Sequence, residues 1–218
     1  MIKYIDNSQA LAEASDYYYG LTQTNWLKDD SEVKEYMMKR GFKPQTLNQC
    51  KAKINYNFAY PIIFPMLDNG EFKGWVCRTN NPETEKRRKY LYNQGFSRAT
   101  TLVGNYENTK TVVVVEGFMD MLKMNQYGLS KVVAILGWKM SGNQIEKLRS
   151  AGITTIISAL DNDTCGNKGT DYLQKFFSVV RFKYPSGVKD AGDLNAKTFK
   201  MALEQTKKDF RRIKNGTA

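Results

Sequence analysis

"VVVVEGFMDMLKM", residues 112–124, sets four consecutive valines against a glutamate, a glycine and an apolar run interrupted by Asp120 and Lys123. An unbroken β-branched run is what a strand buried on both faces requires. The residues after Gly117 change to a helical pattern, with Met119, Met121 and Met124 as core side chains. Glu116 therefore falls where the strand ends. It is either a first-turn acid favoured by the helix dipole or a carboxylate held rigidly at a strand mouth for chemistry.

The same rhythm continues from Thr111. Strands "TVVVVEG", "KVVAILG" and "TTIISALDND" alternate with helices "FMDMLKMNQYG", "SGNQIEKLRSAG" and "TDYLQKFFSVV", and a last strand is expected from Arg181 to about Tyr184. Gly128 and Gly152 supply helix stops. Such alternation predicts an α/β fold, a parallel sheet covered by helices, in which ligands bind beyond the carboxyl ends of the strands.

Acids stand at that edge three times over: Glu116 after the valines, Asp161 and Asp163 after "IISAL", and Asp190 and Asp193 after the last strand. Residues two apart in an extended segment point the same way, so Asp161 and Asp163 can address one point. Glu116 and Asp120, four apart, share a face if a helix begins at Gly117. Singly, each acid has a capping explanation, Asp163 or Asp171 for the third helix and Asp190 for a turn. Their coincidence at three strand ends favours chemistry. Carboxylates so close repel and raise one another's pKa values unless a cation neutralises them. Hard oxygen donors suit Mg²⁺ or Mn²⁺, and the implied reaction class is metal-assisted phosphoryl transfer or phosphodiester hydrolysis.

Composition narrows the alternatives. The 218 residues contain no histidine and three separated cysteines, Cys50, Cys77 and Cys165, so a zinc site and Ser-His or Cys-His catalysis are not expected. No apolar run reaches the roughly 20 residues of a membrane span, and the opening "MIKYIDNSQALAEASDYYYG" does not read as a signal peptide, which predicts a cytoplasmic protein with no membrane partner. The net charge of +11 is uneven: −3 over residues 1–30, +7 over 31–110, +2 over 111–195 and +5 over 196–218. Two basic blocks flank a nearly neutral middle, an arrangement that attracts polyanions.

Upstream, "SEVKEYMMKRGF" offers Ser31 as N-cap, Val33, Tyr36 and Met37 at helical spacing, and Gly41 as terminator. "YPIIFPMLDNGEFKGWVCR" reads as a hairpin turning at Asp68-Asn69-Gly70. A polar loop and the run Lys86-Arg87-Arg88-Lys89 follow. The expected divisions are a helical lead-in over 1–58, a mixed α+β basic subdomain over 59–110, the parallel-sheet domain over 111–194 and a basic helix with a frayed end over 195–218.

These residues resemble a known family. "VVEGFMD" is similar to the EGxxD motif, and "ALDNDTCG" to the DxD motif, of the Toprim domain. "FPMLDNGEFKGWVCR", "RKYLYN" and "VKEYMMKRGF" resemble, in order, the hairpin, Lys-Tyr-Leu-Asn and Tyr/Arg-Gly elements of DnaG-type bacterial and phage primases. The resemblance implies DNA-dependent RNA primer synthesis on single-stranded DNA from NTPs with two or more Mg²⁺ or Mn²⁺ ions. It makes Glu116, Asp161 and Asp163 catalytic, and Glu116, Asp120, Asp161, Asp163, Asp190 and Asp193 metal-site acids. Arg78, Lys86, Arg87, Arg88, Lys89, Tyr92 and Arg98 become contacts to template or nucleotide. Departures are "GWKMS" from Gly137 in place of a Gly-Thr turn, Arg98 in place of a lysine, and "KDAGD" in place of Asp-Pro-Asp. The family's zinc-binding and helicase-interacting domains find no counterpart in the sequence, which suggests a plasmid, phage or mobile-element setting, or a replicative helicase or zinc-domain partner chain. The competing readings are a Toprim nuclease and a non-catalytic nucleic-acid-binding replication subunit.

Overall fold

The computed structural model describes residues 7–214; the frayed end expected at residues 215–218 and the first six residues of the lead-in lie outside the described residues. The chain divides into two compact units after Ser97.

The first unit runs α1 (Asn7–Gly20), α2 (Glu32–Lys39), α3 (Pro44–Gln49), β1 (Lys53–Ile54), β2 (Ile62–Asp68), β3 (Glu71–Arg78), α4 (Pro82–Arg87) and β4 (Tyr90–Tyr92). Ser31 caps α2 by accepting from the Lys34 N–H, Val33 and Met37 are buried, and Gly41 follows at φ 76°. The hairpin forms as its turn chemistry dictates. Asn69 and Gly70 both adopt positive φ, 49° and 85°, the twist that matches a two-residue connection to its strands, and Asp68 pairs with Glu71. β1 to β4 form an antiparallel ladder in chain order. The lead-in packs on the hairpin: the Tyr18 ring stacks on Phe72 at 5.6 Å, and Tyr18 shares a core with Ile63 and Cys77. Within the lead-in, Lys53 Nζ donates to the carbonyls of Tyr18 (2.8 Å) and Leu21 (2.7 Å), and Tyr18 Oη donates to Lys51 O (2.5 Å).

The second unit contains β5 (Val103–Gly104), β6 (Thr111–Val115), α5 (Phe118–Gln126), β7 (Val132–Ala134), α6 (Gly142–Ser150), β8 (Thr155–Ser158), α7 (Thr164–Leu173), β9 (Ser178–Arg181), a 3₁₀ turn (Ala191–Asp193) and α8 (Ala196–Lys214). Its strands lie in the order β5-β7-β6-β8-β9. The last four are mutually parallel and β5 is antiparallel to β7. Val112 to Val115 are all buried, and Val112 and Val114 share a core with Val133, Ile145, Leu148 and Ile156. α8 lays Phe199, Ala202 and Thr206 inward. The Phe199 ring stacks on Tyr127 at 4.9 Å, and Thr206 Oγ1 accepts from the Lys183 N–H at 2.9 Å.

One stretch departs from expectation. The helix expected at 170–180 starts six residues earlier, and "SVVR" forms β9, in register with Thr155–Ser158. The cause lies in two glycines that read as loop signals. A Cβ on Gly166 would lie 2.0 Å from the Asp161 carbonyl oxygen, and one on Gly169 2.2 Å from that of Trp138. These glycines let α7 lie against backbone, a contact no larger residue permits. Gly166→Ala is expected to cost about 3 kcal/mol, because the clash is with main chain that cannot swing aside. Urea unfolding at unchanged m-value measures it.

Candidate functional site

The sheet brings together the acids that follow β6 and β8 with those of the 3₁₀ turn. β6 delivers Glu116, whose Oε1 accepts from the Asp161 N–H at 3.3 Å. Gly117 is the N-cap of α5 with φ −103°, so it is needed for space rather than for a left-handed turn: a Cβ there would lie 2.8 Å from Asp120 Oδ2. That oxygen accepts from Gly117 N (3.1 Å), and Asp120 Oδ1 accepts from Gly192 N (2.9 Å). Asp120 thus tethers the 3₁₀ turn, and with it Asp190 and Asp193, to the start of α5. Asp163 caps α7, its Oδ1 accepting from Gly166 N at 2.8 Å, and Asp190 Oδ1 accepts from Asp193 N at 3.0 Å. Capping and membership of the acidic group are therefore not alternatives for these two residues.

The electrostatics follow from that convergence. Burial, and then the charges of Asp161, Asp163 and Asp190, push the Glu116 carboxyl up to about 7 against the opposing Asp161 N–H. Burial followed by Asp190 and Asp161 pushes Asp120 up to about 7. Burial followed by Asp190, Asp163 and Asp193 pushes Asp161 up to about 6. Tyr184, which sequence reasoning did not single out, is enclosed beside the group. It donates to the Ala159 carbonyl at 2.7 Å, and burial and the surrounding carboxylates raise its hydroxyl well above the ordinary tyrosine value. Nothing in "RFKYPSGV" marks it, because its position depends on where β9 ends. Alongside Asp161 a polar cleft of about 210 Å³ opens, lined by Asn162, Asn167, Arg181, Lys183 and Tyr184.

The donor set is all carboxylate oxygen. Among the described residues no three acidic or sulfur side chains close into a ready-made metal cage. An open cluster of mutually repelling carboxylates fits a hard divalent cation that keeps several of its waters, as Mg²⁺ does. Glu116 and Asp161 are the residues that would hold one, with Asp190 close enough for its charge to bear on both.

The basic residues expected to touch nucleic acid have varied surroundings. Arg78 is only 1% exposed. Its Nε donates to Tyr36 Oη (2.7 Å), its Nη2 to Glu85 Oε1 (2.6 Å) and its Nη1 to Tyr90 Oη, with its guanidinium over both tyrosine rings. It is a buried cation held by three side chains, and "WVCR" gives no hint of this because the three partners come from α2, α4 and β4. Lys86 pairs with Glu83 at 2.8 Å on the exposed face of α4. Arg87, Arg88 and Lys89 are exposed beyond it. One face of the Tyr92 ring is stacked on Phe96 at 5.1 Å. Arg98 is exposed while its carbonyl accepts from the buried Gln144 amide at 3.0 Å.

Comparison with known proteins agrees with this architecture. Residues 110–189, within the parallel-sheet unit, match the Toprim domain model. The DNA primase of Clostridium acetobutylicum is 30% identical over 202 residues, covering 82% of this chain and 33% of the relative. A Staphylococcus aureus DNA primase is 25% identical over 229 residues, covering 95% of this chain and 37% of the relative. The chain thus spans about a third of the length of these relatives. A DnaG primase catalytic domain bound to single-stranded DNA superposes with TM-score 0.69 at 21% identity, covering 93% of this chain and 79% of that one. The RNA polymerase domain of Mycobacterium tuberculosis DnaG does so with TM-score 0.70 at 18% identity, covering 92% and 83%. The chain shares the fold of the DnaG-type primase catalytic domain, and residues 110–189 of it match the Toprim domain. Among the described residues no helix is long and apolar enough to cross a membrane.

Proposed function

We propose that this chain performs template-directed nucleotidyl transfer, joining NTPs into short RNA on single-stranded DNA with Mg²⁺ or Mn²⁺. The observation that carries the reading is the gathering of Glu116 after β6, Asp161 after β8 and Asp120 on α5, whose carboxyls are raised by burial and by the charges of neighbouring acids that include Asp190. Bound divalent metal supplies neutralisation of the triphosphate and a lowered pKa for the attacking 3′-hydroxyl. Glu116 and Asp161 present the principal oxygens to it, with Asp163, Asp190 and Asp193 adding negative charge at the rim. Asp120 acts through position, holding the turn of Asp190 and Asp193 in place. Arg87, Arg88, Lys89 and Arg98, exposed and cationic, serve phosphates of template or nucleotide. Tyr92 is the aromatic assigned to a base.

The test is incubation with single-stranded DNA, labelled NTPs and Mg²⁺ or Mn²⁺. Short, template-dependent RNA products are expected. Shortened template without RNA would instead support a Toprim nuclease, and binding without either would support a non-catalytic replication subunit.

A further inference from the structure

Beyond the acidic edge, the second unit carries an exposed band of aromatic and basic side chains that the reading above does not use. It begins in the loop after β7. The backbone there is pinned on both sides: Leu136, at φ 59°, donates its N–H to the Glu116 carbonyl at 2.8 Å, and the Trp138 carbonyl lies against Gly169 of α7. The Trp138 side chain nevertheless remains 44% exposed, a costly placement for an indole on a rigid loop. The next residue, Lys139, sits over the Tyr172 ring at 4.5 Å, and Lys175 lies 5.8 Å from the same ring on the helix end. Tyr172 meets Phe176 edge to face at 5.2 Å, and Phe176 is itself 37% exposed. Phe176 is also a wall of a cleft of about 490 Å³ shared with Arg149 and Gln174.

Gly169, Tyr172 and Phe176 are spaced at three and four residues, so the aromatics follow one face of α7 and its exit. α7 starts at the Asp163 cap, and its ten residues extend about 15 Å from the acidic edge. A row of partly exposed rings with lysines between them matches the chemistry of single-stranded nucleic acid, whose bases stack on aromatic faces while its phosphates meet cations. We propose that the Trp138 loop and the outer face of α7 form a track for single-stranded nucleic acid leading away from the acidic edge, with Trp138 and Phe176 stacking bases and Lys139 and Lys175 meeting phosphates. This deepens the primase reading and rests on it for the identity of the strand, template or product.

Binding separates the two ideas, because it needs no catalysis. A fluorescent oligo-dT and an oligo-U of equal length are titrated by anisotropy against the wild-type chain, Trp138→Phe, Trp138→Ala, Phe176→Ala and the pair Lys139→Gln/Lys175→Gln, with Glu116→Gln as a catalytically impaired control. Trp138→Ala and Phe176→Ala are each expected to weaken binding about tenfold, with Trp138→Phe between them and wild type. The lysine pair is expected to lower the slope of log K against log salt by about 1.4. Quenching of intrinsic fluorescence on binding is expected to be smaller in Trp138→Phe than in wild type, the remaining indoles being the buried Trp26 and the half-buried Trp75. Glu116→Gln is expected to bind like wild type whether or not the chain makes primers. Unchanged affinity and salt slope in the aromatic and lysine variants, or quenching as large in Trp138→Phe as in wild type, would overturn the track. So would variants that retain circular dichroism but lose binding to duplex DNA as strongly as to single strands.

Discussion

Glu116→Gln and Asp161→Asn are each expected to reduce nucleotidyl transfer by at least about a thousandfold, equivalent to about 4 kcal/mol of transition-state stabilisation. The same changes should make the metal-free chain more stable. Glutamine keeps the acceptor that takes the Asp161 N–H, while removing a charge that burial and neighbouring carboxylates disfavour. Discounted for its partial exposure, that relief is about 1–2 kcal/mol. Asp120→Asn should behave differently. One carboxylate accepts from both Gly117 and Gly192, and an amide turns a donor toward one of those N–H groups, so this variant should lose stability as well as activity. Rates measured beside thermal melts in chelator separate the two patterns. A Glu116→Gln chain that is both inactive and less stable would mean that Glu116 is a structural residue.

The second large effect is a coupling of stability to pH and metal. The folded-state pKa values of Glu116, Asp120 and Asp161 lie above their ordinary values, so the folded state binds more protons than the unfolded one. Their contribution is therefore fully present below about pH 4 and lost as pH rises through 6 to 7. In chelator the melting temperature is expected to fall by at least about 5 °C between pH 5 and pH 8. Saturating Mn²⁺ should restore most of this at pH 8 and little at pH 5, where protons already neutralise the cluster. Melting curves at the two pH values, with and without Mn²⁺, check this directly. An equal Mn²⁺ effect at both would separate metal binding from these acids.

The parts legible from sequence were those governed by local pattern. Four valines ending in Glu-Gly mark a buried strand with an acid following it, and Asn69-Gly70 set the hairpin through backbone conformation alone. What depended on distant partners was not legible. The start of α7 was hidden because Gly166 and Gly169 read as loop residues until the carbonyls of Asp161 and Trp138 are seen against them. The shift of β9 followed from that one error. The resemblance made Arg78 a contact to template or nucleotide, and nothing in "WVCR" marks the enclosure by Tyr36, Glu85 and Tyr90 from three other elements. Asp120 reads as a possible ligand by its spacing from Glu116, and its tethering of Gly192, 72 residues away, has no local signature. Tyr184 was silent for the same reason.

Acids from three segments are proposed to form one divalent-cation site. Titration of Mn²⁺ followed by the free-ion electron paramagnetic resonance signal tests it most directly, comparing wild type with Glu116→Gln, Asp161→Asn and, as a control outside the cluster, Asp171→Asn, whose carboxylate pairs with Arg181 at 2.6 Å. The account predicts Mn²⁺ binding at pH 8 in wild type and in Asp171→Asn, and at least tenfold weaker binding in the other two. Equal binding by all four chains, or none by wild type, would contradict it.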